Sequence, residues 1–270
     1  MKKDTLTWEL LAEFAGTCIL ILFGVGVVAQ VVTGNGALGD HDSIAWAWGL
    51  GVTLGVYVSA RISGAHLNPA VTVALAAFQG FSWKKVLPYS LAQTAGAFVA
   101  AIIVRFTYAD LINAIDPGHT FKTQGIFSTL PGTHVTMTTA FFDQIVGTAI
   151  LVFVIFALTN ARNNPPLSNL GPLLVGLLVV AIGMAWGANA GYAINPARDF
   201  GPRLASWITG YSTAMKEPGG NYYFWLPIVA PIIGGLVGGG LFKLLIDRGI
   251  DAMEEAEPEA EAAGEPLPNE

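Results

Sequence analysis

Two blocks of this chain occur twice, in the same order. Glu13-Phe-Ala-Gly16-Thr17-Cys-Ile19-Leu20 lines up with Gln144-Ile-Val-Gly147-Thr148-Ala-Ile150-Leu151, and Gly64-Ala-His-Leu-Asn68-Pro69-Ala70 with Gly191-Tyr-Ala-Ile-Asn195-Pro196-Ala197. Around them lie six apolar stretches long enough to cross roughly 30 Å of hydrocarbon, at 8–32, 43–60, 86–107, 139–159, 171–188 and 223–246. Two further apolar pieces, 66–79 and 194–208, are too short to span and read as re-entrant half-helices. Each half of the chain then holds three spans, with a short piece after the second. An odd number of spans per repeat turns the second copy upside down, the pattern in which short broken segments mark a permeation site near the midplane. The predicted fold class is therefore an all-α integral membrane protein with six transmembrane helices, two half-helices and an inverted 3+3 repeat.

Composition agrees. Hydrophobic residues make up 53% of the 270 residues and charged ones 12%, against about 25% charged in a soluble domain. This excludes a nucleic-acid binder, a disordered chain and a disulfide scaffold, and Cys18 is the one cysteine. The 32 glycines suit membrane helices whose backbones approach closely. Lys2 and Lys3 ahead of an apolar run could open a signal peptide. That run exceeds the usual length of about 7–15 residues and contains Glu13, so it reads as a retained helix.

Six spans put both termini on one side. Lys2, Lys3, Arg61, Lys84, Lys85, Arg162, Lys243 and Arg248 share that side, while Arg105, Lys122, Arg198, Arg203 and Lys216 fall opposite. This modest bias makes the termini cytoplasmic. Residues 1–7 then form a cytoplasmic N-terminus and 8–248 the channel body. The repeats cover about 8–107 and 139–246, joined by an extracellular loop at 108–138. The Glu-, Ala- and Pro-rich segment 249–270 reads as a disordered acidic cytoplasmic tail.

Asn is a favoured N-cap and Pro a favoured first helical residue. Asn68-Pro69 and Asn195-Pro196 thus each start a helix, and in an inverted repeat the two starts meet mid-membrane. Each end carries roughly half a positive charge, which opposes any cation there, hydronium included. With each Asn carbonyl oxygen capping its own helix, the amide NH₂ is left to face the pore. A passing water or hydroxyl oxygen would accept from both amides, and its own hydrogens would point away, breaking the chain that proton hopping needs. Arg198, directly after the second Asn-Pro-Ala, needs a polar cavity at that depth.

Ser63-Gly-Ala-His-Leu-Asn-Pro-Ala70 and Gly191-Tyr-Ala-Ile-Asn-Pro-Ala-Arg-Asp199 resemble the two signature loops of the major intrinsic proteins, and within them the bacterial glycerol-facilitator branch. Ala12-Glu-Phe-Ala-Gly-Thr17, Asn195-Pro-Ala-Arg-Asp-Phe-Gly-Pro202 and Pro227-Ile228 extend the resemblance, which covers about 8–248. It implies a pore in every protomer of a homotetramer, in the cell membrane, with no cofactor or metal. It also implies a central constriction at Asn68 and Asn195 and a selectivity filter of Trp48, Gly183, Tyr192 and Arg198. Gly183 stands where water-selective members usually carry His and leaves room for carbon. Trp48 and Tyr192 then form an apolar corner facing the arginine, an arrangement suited to a polyol. The backbone carbonyls of Gly64, Ala65, His66, Asn189, Ala190 and Gly191 are implied to line the pore.

Glu13 and Gln144 occupy the family's paired bracing-glutamate positions, with Gln a departure that Asp143 compensates. Asp199 is structural, paired with Arg203 four residues on. Tyr192 stands where glycerol facilitators usually carry Phe. Its hydroxyl could tune the filter toward undissociated lactic acid, hydrogen peroxide or urea, or narrow it to a mainly water-conducting pore. His41, His119 and His134 fall in loops and receive no role. A passive channel for small uncharged solutes, glycerol with water, is the reading these residues support. An ion-coupled transporter would need titratable groups at the half-helix tips, where only Asp199 lies, beside an arginine. An intramembrane enzyme would need the paired His ligands, Cys/His cluster or serine elbow that the sequence lacks.

Overall fold

The computed structural model describes residues 5–263. Among the described residues six helices are long and apolar enough to cross a membrane. These are α1 (Leu6–Thr33), α2 (His41–Ser63), α4 (Trp83–Thr107), α7 (Met137–Thr159), α8 (Gly171–Ala190) and the helix that begins with α10 (Leu226–Phe242). The half-helices are α3 (Pro69–Phe78) and α9 (Pro196–Ile208), each with Pro at its first position as the Asn-Pro dipeptides predict. The 108–138 connection carries two short helices that apolar periodicity does not reveal, α5 (Ala109–Ile115) and α6 (Phe121–Gln124).

The two repeats interlock. The half-helix α3 packs chiefly on α10, from the other repeat, while α9 packs chiefly on α4. Neither half can bury its short helix without the other. The spans approach closely because glycines sit at the crossings: a Cβ on Gly96 of α4 would lie 2.3 Å from the Phe14 carbonyl oxygen, and one on Gly234 of α10 would lie 2.4 Å from that of Ile145. Phe14 and Ile145 follow the aligned Glu13 and Gln144, so the crossing itself is repeated. Where α2 meets α8, Gly49 and Gly176 face each other, and a Cβ on either would lie 2.5 Å from the other's carbonyl oxygen. These glycines, like Asn68 and Asn195, are 127 residues apart. The pseudo-two-fold axis therefore passes between them.

The expected disordered tail is corrected over 249–263. Past α10 the chain makes a π-helical turn (Lys243–Asp247) and continues as α11 (Arg248–Ala263). Asp247, Asp251 and Glu254 recur at helical spacing, and all three approach Arg162 of the α7–α8 loop, Glu254 at 2.8 Å. Composition registers the excess of acid but not that three of these carboxylates share one cation. Residues 1–4 and 264–270 lie outside the described residues.

Candidate conduction pore and filter

The two Asn-Pro loops are built alike. Each runs into its half-helix with positive φ at matched positions: Gly64, Ala65 and Leu67 in the first, Gly191, Tyr192 and Ile194 in the second, the last at +44°. Four of these six are not glycine, and each such residue costs about 1–3 kcal/mol unless its surroundings over-determine it. Glu13 and Gln144 do so. The Glu13 carboxylate accepts from the backbone N–H of His66 at 2.9 Å and of Leu67 at 2.8 Å, and from Ser63 Oγ and Gln93 Nε2. Gln144 Oε1 accepts from the Ile194 N–H at 2.9 Å, while its Nε2 donates to the Ala190 carbonyl. Asp143 accepts from Asn189 Nδ2, tying down the same loop. One carboxylate with four donors braces the first loop; an amide and a neighbouring acid share the work in the second. Ser63 and Gln93 entered the bracing network unannounced by the sequence.

At the centre each Asn caps its own helix. Asn68 Oδ1 accepts from Ala70 N at 2.8 Å, and Asn195 Oδ1 from Ala197 N and Arg198 N. The expectation that both N–H groups of each amide face the pore is corrected by half. Asn68 Nδ2 donates to the Ile194 carbonyl and Asn195 Nδ2 to the Leu67 carbonyl, both at 2.8 Å. One donor of each amide is spent on the opposite loop, which fixes its orientation, and one remains.

A cavity of about 480 Å³ runs from Trp48, Tyr192 and Arg198, past Asn68 and Asn195, to a mouth at Thr159, Asn169 and Pro172. Gly64, Ala65 and His66 are among the residues that line it. From the second repeat it meets Tyr192–Asn195 in place of Asn189, Ala190 and Gly191. The carbonyls of Asn189 and Ala190 already accept from Gly132 N and Gln144 Nε2. They are spoken for by the protein, a use that loop spacing does not disclose.

At the Trp48–Tyr192 end the Arg198 guanidinium carbon lies 4.1 Å from the Trp48 ring centroid, so the two stack and do not face each other across an opening. Among the described residues none accepts a hydrogen bond from that guanidinium. Arg203, one turn on, is the opposite case: it donates to Asp199 at 2.8 Å and to the carbonyls of Ala214 and Thr129, and Asp199 also accepts from Thr129. Two arginines five residues apart thus divide between a fully bonded brace and a set of free donors.

Gly183 does not leave open room. A Cβ there would lie 2.9 Å from Tyr192 Cζ and 3.1 Å from the Ala45 methyl, so the tyrosine ring already fills the space the missing side chain vacates. The Tyr192 hydroxyl is buried with no partner. His41, given no role by the sequence, donates from Nε2 to the Gly183 carbonyl at 2.9 Å and packs near-perpendicular to the Tyr192 ring, with centroids 6.4 Å apart. Nothing in the sequence marks it, because the contact joins residues 142 apart.

Residues 1–242 match the family described as Major intrinsic protein. The chain belongs to that family. Among relatives of this major intrinsic protein, a probable aquaglyceroporin-2 from Gibberella zeae is 46% identical over 248 residues, 88% of this chain and 72% of the relative. The glycerol uptake facilitator protein of Escherichia coli K12 is 42% identical over 256 residues, covering 92% of this chain and 91% of the facilitator. The X-ray structure of the aquaglyceroporin from Plasmodium falciparum superposes with a TM-score of 0.84 at 33% identity, over 92% of this chain and 99% of that one.

Proposed function

We propose that this major intrinsic protein is a passive channel for small uncharged solutes, conducting glycerol with water and excluding protons and ions. The observation that carries it is Arg198: a buried guanidinium, free of protein acceptors, stacked on Trp48 at the end of a continuous cavity. Its donors bind solute hydroxyls while Trp48 and the Tyr192 ring receive the carbon backbone, and its charge repels cations. The helix starts at Asn68 and Asn195 supply a second positive zone, and the one free N–H of each amide orients the solute oxygen. Free diffusion through this path needs no coupled ion and no bond-making chemistry.

The same reading places the pore-lining carbonyls of 64–66, the Glu13 and Gln144 braces and the Asp199–Arg203 pair as scaffold for that path. It places the protein in the cell membrane with both termini cytoplasmic and four copies assembled. The positive-charge bias of the loops supports the orientation, and cross-linking in native membrane tests the assembly.

A second reading rests on the unpartnered Tyr192 hydroxyl. A buried hydroxyl without a partner costs about 1–3 kcal/mol, which a solute acceptor recovers. In that reading the filter is tuned to urea, hydrogen peroxide or undissociated lactic acid in preference to glycerol. Stopped-flow light scattering on proteoliposomes, challenged in turn with glycerol, urea and lactic acid at low pH, separates the two. Glycerol entry well above empty liposomes supports the first reading. Fast entry of the others with slow glycerol supports the second, and dependence on a pH or sodium gradient defeats both.

A further inference from the structure

We propose that His41 is a positioning residue of the filter, setting how far the Tyr192 ring reaches toward the solute path. The inference rests on the proposed filter and extends it by one side chain. His41 opens α2, where its place is fixed by a reciprocal cap: Asp40 Oδ1 accepts from Ser43 N at 3.0 Å and Ser43 Oγ accepts from Asp40 N. From this fixed start the imidazole reaches α8 and donates to the Gly183 carbonyl.

Its seat on α8 is made by absence of side chains. A Cβ on Gly187 would lie 2.3 Å from His41 Cε1 and 3.4 Å from Tyr192 Cδ1, and one on Gly183 would lie 2.9 Å from Tyr192 Cζ. Gly183 and Gly187, one helical turn apart, form a shallow groove in which the tyrosine ring lies lengthwise. His41 closes the end of that groove. Tyr192 has no hydrogen bond of its own to hold it there, its hydroxyl being unpartnered and its backbone held at φ +37°. In the proposal, what keeps the ring from sliding along the groove is the imidazole packed against it, with centroids 6.4 Å apart.

The repeat supplies an internal contrast. The residues 127 positions before Gly187 and Tyr192 are Ala60 and Ala65, and the one 127 after His41 is Ser168. The equivalent place in the other repeat has no ring and no glycine groove. The brace belongs to the filter end alone.

The test uses the full chain in proteoliposomes and reads the ratio of erythritol to glycerol permeability, with water permeability measured alongside. His41→Ala opens the end of the groove, lets Tyr192 withdraw and raises the ratio by about fivefold, the equivalent of one ordinary hydrogen bond. Gly187→Ala displaces the imidazole while leaving His41 in the sequence, and produces the same direction of change. His41→Gln keeps a donor for the Gly183 carbonyl and restores most of the wild-type ratio. Monodisperse elution of each variant in detergent accompanies the measurement, so that a folding failure in one leaves the other to decide. An unchanged ratio in both His41→Ala and Gly187→Ala, with wild-type glycerol conduction intact, overturns the proposal. A wild-type channel that fails to conduct glycerol overturns the underlying filter reading, a separate outcome.

Discussion

The two ends of the pore use one backbone for opposite purposes. The residues 127 positions from Trp48, Gly183, Tyr192 and Arg198 are Val175, Val56, Ala65 and Val71, and all four of these line the cavity on the far side of the Asn pair. One ring holds an indole, a phenol and a cation; its counterpart holds three valines and an alanine. The loops behind both rings follow the same alternation of positive φ and start the same Asn-Pro helix. In the proposed reading the scaffold sets where a ring of four side chains stands, and the side chains decide whether that ring selects or merely passes. Symmetry of the backbone was kept while symmetry of the chemistry was not.

Grafting the filter cation onto the valine ring is the strongest way to break this contrast. Val71→Arg places a second guanidinium in an apolar stretch where a buried charge costs several kcal/mol, and glycerol permeability falls by more than about tenfold. Stopped-flow uptake measures it, and near-normal flux would mean the two rings are not equivalent in position.

The braces give the next largest effect. Glu13→Ala removes an acceptor shared by Ser63, His66, Leu67 and Gln93, leaving buried donors unpaired at about 3–5 kcal/mol. Gln144→Ala frees the Ile194 N–H and the Ala190 carbonyl, for about 1–3 kcal/mol. Thermal unfolding in detergent should rank Glu13→Ala well below Gln144→Ala, and the reverse order would show that Asp143 does not support the second loop.

The smallest effect lies in the 108–138 connection. His119 Nε2 lies 2.9 Å from Arg105 Nη2, and burial together with that cation holds the imidazole below its ordinary value of 6.5. Burial pushes Asp116 up, but hydrogen bonds from Thr123 and Thr120 outweigh it and hold the carboxyl below its ordinary 3.8. The opened loop takes up a proton that the closed His119 cluster refuses, so local stability falls as pH drops through 6.5. Asp116 adds its loss only in stronger acid, below 3.8. Hydrogen exchange over 109–124, corrected for its intrinsic pH dependence, should quicken modestly between about pH 7 and about pH 5. Unchanged protection would remove His119 from the account.

Much of this molecule is legible in its residues. Apolar run lengths locate five spans and the start of the sixth to within a few residues, and Asn-Pro places both half-helix starts because capping is a local matter of one side chain and its next two N–H groups. Repetition of two short blocks forces the inversion. What escapes is whatever long-range contact decides. His41 touches α8 across 142 residues, the space at Gly183 belongs to a ring from another segment, and each Asn amide spends one donor on the opposite loop. The tail's helix escapes for the same reason: its acids gain order from Arg162, far away in sequence.

The account turns on Arg198 acting as the selecting group, and one paired measurement tests it most directly. Glycerol uptake and internal pH are followed together in proteoliposomes of the wild-type chain and of Arg198→Val, the substitution that gives the filter its counterpart's residue. No described residue depends on the guanidinium as a hydrogen-bond donor, so the variant keeps its fold. The prediction is glycerol entry without proton leak in the wild type, and in the variant a proton leak with loss of discrimination against erythritol. A variant that conducts and excludes as the wild type does would contradict the account.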